Sequence, residues 1–136
     1  TKNLKTIRKE KNDCAVKALA VAAGITYDEA HGLLAKCGRR IGRRSSFDAM
    51  HEAYTEMGGV MKAIFGKTIN AKCLAMNHPD VPTTDGIILS RLLEELPKGR
   101  FVCVMRGHAF AIVNNQVYNE GGSIEGNTRI AAIYRF

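Results

Sequence analysis

RFVCVMRGHAFAIVNNQVYN, running from Arg100 to Asn119, decides the fold. Arg100–Arg106 and His108–Val113 are rich in Val, Phe and Ile, the composition of strands packed on a core. Gly107 separates them and allows close approach of backbone or substrate. Asn114-Asn115 is a turn signal that tolerates positive φ, and Gln116–Asn119 returns as a short third strand. Downstream, Glu120–Thr128 reads as a loop and Arg129–Phe136 as a closing strand. Gly121-Gly122 with Gly126 lacks the Gly-Lys-Ser/Thr ending of a phosphate loop; it reads as a flexible lip.

Upstream the period changes from two to about 3.6. Asn12 or Asp13 can cap a helix over 14–23 that stops at Gly24. Thr26-Tyr27-Asp28-Glu29 is a capping box, opening a second helix to about Cys37, with Ala30, Leu33, Leu34 and Cys37 on its apolar face and Gly38 as its stop. Ser45 or Ser46 caps a third helix over roughly 46–57, closed by Gly58-Gly59. Its stripe of Phe47, Met50, Ala53, Tyr54 and Met57 reads as core. Val60–Phe65 suits a strand. Residues 66–83, with Gly66, Pro79 and Pro82, read as mixed strand and loop. Thr84 can cap a helix over 85–96 that Pro97-Lys98-Gly99 ends. Helices before strands predict an α+β fold with an antiparallel sheet.

At 136 residues the chain reads as one domain, 1–136, opening with a basic arm over 1–11. No apolar run is long enough for a membrane span. The first residues lack the apolar core of a secretory signal, so the expected location is cytoplasmic, with no membrane partner. The net charge of +7 favours anionic partners. Cys14, Cys37, Cys73 and Cys103 are too widely spaced for a zinc knuckle or a redox pair. Cys37, Cys73 and Cys103 sit among apolar neighbours and are expected to be packed thiols. Neither a metal nor a cofactor is expected; Cys73 and His78 alone would not hold zinc.

Cys14 is the exception, at the expected first turn of a helix. A thiolate, not a thiol, is the nucleophile. The positive end of a helix dipole and a nearby imidazolium both favour it. First-turn amides can also donate to a developing oxyanion. His108, at the head of an apolar strand and beside the small residues Gly107 and Ala109, is the candidate base. Asn119 on the return strand can accept a ring N–H and fix the imidazole. Glu120 takes that place if the register slips by one. Asn114 and Asn115 are already accounted for by turn chemistry.

Asp13-Cys14 before an apolar helix, Gly107-His108 opening a strand, and a polar residue on the next strand resemble the papain-like cysteine peptidase superfamily, in the order Cys, His, Asn. The compact bacterial and phage branch related to bacteriocin leader peptidases is the most similar. A phage origin would make the location the host's cytoplasm. The resemblance spans roughly residues 8–22 and 100–120. It implies a papain-like fold and cleavage of a peptide or isopeptide bond in a peptide or protein substrate. Arg8 stands where such families carry an oxyanion-hole Gln, and Ala15 where leader peptidases tend to have Gly. Arg8 and Asn12 are the candidate oxyanion donors beside the amide of Cys14. Cell-wall endopeptidases share the order of residues, so peptidoglycan is the alternative substrate.

His31 and His51 fall within helices and read as surface or packing residues. Arg39, Arg40, Arg43 and Arg44 form a basic loop. They are candidate anion-binding residues for an acidic substrate segment or nucleic acid. The chain has no Trp and only 7% aromatic residues, which argues against a base-stacking platform. A non-catalytic binding module working through these arginines is the alternative from outside enzymology.

Overall fold

The computed structural model describes residues 2–3, 12–66, 69–120 and 123–136. Among them the fold is α+β. Its five helices are α1 (Cys14–Ala23), α2 (Tyr27–Lys36), α3 (Phe47–Glu56), α4 (Ile69–Asn77) and α5 (Leu89–Glu95). The strands are β1 (Lys2–Asn3), β2 (Val60–Phe65), β3 (Thr83–Thr84), β4 (Ile87–Ile88), β5 (Arg100–Met105), β6 (His108–Val113), β7 (Gln116–Asn119), β8 (Arg129–Ile130) and β9 (Ala132–Arg135). The main sheet runs β1-β7-β6-β5-β9-β2-β3, and β4 pairs with β8 apart from it. The sheet is antiparallel except at its two outer pairs. No helix among the described residues is long and apolar enough to cross a membrane.

The β5–β6 hairpin places Met105 opposite His108 and Arg100 opposite Val113. Asn114 and Asn115 both have positive φ (48° and 66°), as a two-residue hairpin turn needs. Strand alternation divides the core. Val102, Val104, Ala109 and Ala111 join the cluster around α1, whereas Phe101, Cys103, Phe110 and Ile112 join the cluster around α5. α1 is buried on nearly every side. Its Ala15, Ala18 and Ala22 share a cluster with Ala109 and Ala111. Small side chains on both elements let the helix approach the strand closely. That approach brings the start of α1 to the start of β6.

Local signals set the helix boundaries. Gly24 ends α1 in the left-handed region at φ 70°. The Thr26 hydroxyl accepts from Glu29 N–H at 3.1 Å and donates to Glu29 Oε1, so the carboxylate binds the hydroxyl and not the Thr26 amide. Ser46, not Ser45, caps α3 by accepting from Ala49 N–H.

Three expectations fail. Residues 66–83 contain a helix, α4, whose sequence INAKCLAMN lacks a clean apolar stripe. The helix after Thr84 begins only at Leu89, because Ile87–Ile88 pair with Arg129–Ile130 and Thr84 lies in β3. The final strand breaks at Ala131: its first part follows β4, and its second enters the sheet between β5 and β2. Of the basic arm, Lys2–Asn3 pair in parallel with Tyr118 and Asn119. Residues 4–11, Arg8 included, and Gly121-Gly122 lie outside the described residues.

Candidate active site

Cys14 is the first residue of α1 and His108 the first of β6. Cys14 and His108 line the same cavity, and the His108 imidazole and the Ala109 backbone are close enough to act on the Cys14 thiol. His108 Nε2 lies 2.5 Å from Asn119 Oδ1. A carbonyl oxygen only accepts, so Nε2 carries the proton there and Nδ1 is left for the sulfur. Asn119 is buried, and the ring of Phe110 stacks near His108 at 6.5 Å. The imidazole is therefore held by the Asn119 amide and an aromatic ring, on the cavity that Cys14 also lines. Glu120 does not take Asn119's place; it faces Lys17 instead.

The electrostatics favour an ion pair. Burial is the largest influence on the Cys14 thiol and pushes it up. The hydrogen bond and positive charge of His108, with the Ala109 backbone, outweigh it, and the thiol falls below its ordinary 9.0. The bond to Cys14 is the largest influence on His108, and with Asn119 it lifts the imidazole above its ordinary 6.5 despite burial. Both shifts run in the direction that favours a thiolate beside an imidazolium. By contrast, burial alone drives the Cys103 thiol far up, and Cys37 is also raised.

Asp13 stands at the cap position of α1 but makes no side-chain cap bond. Its carboxylate is turned to Tyr27, whose hydroxyl donates to Oδ2 at 2.8 Å, and to Lys17 Nζ at 3.2 Å from Oδ1. The first-turn amides of a helix have no intrahelical acceptors. Without a cap they remain donors beside the sulfur, which suits a developing oxyanion.

Two candidates hold structure together. Asn12 donates from Nδ2 to the Gly42 carbonyl at 3.0 Å, and its own carbonyl accepts from Arg39 Nη2 at 3.4 Å. Asn12 thus ties the entry of α1 to the basic loop. Arg39 is only 5% exposed, so it leaves the anion-binding set. Arg40, Arg43 and Arg44 remain exposed.

A cavity of about 310 Å³ opens beside the thiol, with Phe47, Met50, Leu74 and Val104 as apolar wall and Arg44 at its edge. Arg44 Nη1 donates to the Gly107 carbonyl at 3.2 Å. Gly107 has φ 70°, and a Cβ there would come within 2.9 Å of that guanidinium. Cys73 is exposed and lines this cavity, contrary to the expected packed thiol. His51 is half-buried, with Nδ1 2.6 Å from the Tyr134 hydroxyl and its ring 4.4 Å from that of His78. No group of three metal-ligating side chains gathers among the described residues.

Sequence reading missed Lys17 and Tyr27 as neighbours of the site. Lys17 carried a signal, as the only charge within the apolar α1. No family model, curated protein or solved structure matches this chain.

Proposed function

We propose that the chain is a cysteine hydrolase of papain-like architecture that cleaves a peptide or isopeptide bond. The juxtaposition of Cys14 and His108 on one cavity, with His108 hydrogen-bonded to Asn119, carries this reading. A helix presenting the thiol, an antiparallel sheet presenting base and orienter, and the order Cys, His, Asn support the papain-like assignment. Cys14 Sγ attacks the carbonyl carbon, and the oxyanion is held by first-turn amides of α1. His108 gives its proton to the leaving amine as the C–N bond breaks. It then takes a proton from water, which attacks the thioester carbon. The C–S bond breaks and an acid is released. Asn119 keeps the imidazole aimed through both steps. The apolar cavity suits an aliphatic or aromatic side chain of the substrate. Exposed Arg40, Arg43 and Arg44 suit an acidic segment beyond it.

An activated p-nitrophenyl ester tests the chemistry without knowledge of the natural substrate. The native chain is expected to release a burst of about one equivalent of nitrophenol, with the acyl mass on Cys14. Cys14→Ala and His108→Ala should lose the burst. Equal acylation of Cys73 and Cys14 would refute the assignment. The exposed arginines also favour a second reading, a module that binds an anionic partner without chemistry. That module would show no burst and would keep its salt-sensitive affinity in Cys14→Ala.

A further inference from the structure

Lys17 is 1% exposed and Asp13 fully buried, directly behind the proposed nucleophile. Lys17 Nζ lies 3.2 Å from Asp13 Oδ1, an ionic contact within α1, and 3.5 Å from Glu120 Oε1 at the end of β7. Tyr27 adds α2 by donating to Asp13. Glu120 follows Asn119 directly, and Lys17 lies one helical turn from Cys14. The contacts therefore close a ring: Cys14 to His108, His108 to Asn119, along the chain to Glu120, across to Lys17, and back down α1 to Cys14. A buried lysine is costly to keep unless its charge is matched. Nothing in the packing of α1 requires one, since its neighbours are alanine, valine and leucine.

We propose that Lys17 and Glu120 are positioning residues of the thiol–imidazole pair, a buried ionic strap that fixes the start of α1 against the end of β7 and sets the field at both reacting groups. The inference rests on the hydrolase reading of that same site. Glu120 is close enough to act on both reacting groups: its negative charge disfavours the Cys14 thiolate and favours the His108 imidazolium. Its own carboxyl is pushed up by burial and by its hydrogen bond and repulsion with Asp13, while Lys17 pulls it down. Lys17 thus lets a fully buried carboxyl, Asp13, and a half-buried one, Glu120, sit close together.

The test measures the pH profile of Cys14 alkylation by limiting iodoacetamide and the His108 titration by NMR, on the full chain. Glu120→Gln is near-isosteric and removes one negative charge. Both midpoints are expected to fall by a few tenths of a pH unit or more. Lys17→Met removes the charge that pulls the Glu120 carboxyl down, so Glu120 is neutralised more readily and both midpoints should fall here too. Profiles that superimpose on the native one, or midpoints that rise in either variant, would overturn the strap. If Lys17→Met does not fold, Glu120→Gln decides alone. A native Cys14 that reacts no faster than Cys73 would instead sink the hydrolase reading. A fast native Cys14 with unmoved variants sinks only the strap.

Discussion

At the scale of residues, the chemistry rests on how three side chains divide their partners. Cys14 is opposed by burial and rescued by His108. In His108→Ala the rescue goes and the burial stays. The Cys14 midpoint should then rise above that of an ordinary thiol, and alkylation near neutral pH should slow; a pH series of alkylation rates checks this. In the native chain the hydrolysis rate should be bell-shaped in pH. It climbs as Cys14 loses its proton, at lower pH than a free thiol would. It declines as His108 loses its own, at higher pH than a free imidazole would. Asn119→Ala leaves the ring N–H without its acceptor. Losing one such bond to a charged ring costs about 1.5–3 kcal/mol, or a drop in kcat/KM on the order of 10- to 100-fold. Cys14 and His108 were legible because a helix start and a strand start each have a local signature. The Asp13–Lys17–Glu120 cluster was not, because its pairing spans most of the chain. No local pattern tells a buried lysine from a solvated one.

At the scale of elements, the alanines between α1 and β6 set the distance on which the site depends. Ala111→Leu inserts bulk where the interface is fully buried. Such overpacking costs about 1–3 kcal/mol, so Tm should fall by several degrees. The displaced helix should also slow Cys14 alkylation, which an ordinary loss of stability would not do well below Tm. Ser46→Ala removes the α3 cap and costs about 1 kcal/mol, readable in denaturant melts. Elements with both a periodic interior and explicit ends were readable: α1 with Gly24, α2 with Thr26, and the β5–β6–β7 meander with its Asn pair. α4 was hidden because Gly66 and Pro79 bracket a segment without an apolar stripe. The short strands β3 and β4 are defined by partners that Thr83–Ile88 alone does not announce.

At the scale of the whole molecule, the charge of +7 bears on what reaches the site. Arg40 and Arg43 are exposed near Arg44, which borders the cavity. Arg40→Ala and Arg43→Ala should raise KM for an acidic peptide more than for a neutral one. The gap should narrow as salt shortens the screening length below about 10 Å. Composition announced the bias but not its division: Arg39 belongs to the fold, and Arg44 is anchored to Gly107. The most direct test of the thiolate–imidazolium pair is the rate at which limiting iodoacetamide labels each of the four thiols across pH, read by mass spectrometry. Cys14 should label first near neutrality, with a midpoint below 9.0 that His108→Ala abolishes. The account is contradicted if exposed Cys73 labels faster at every pH, or if Cys14 keeps its profile without the histidine.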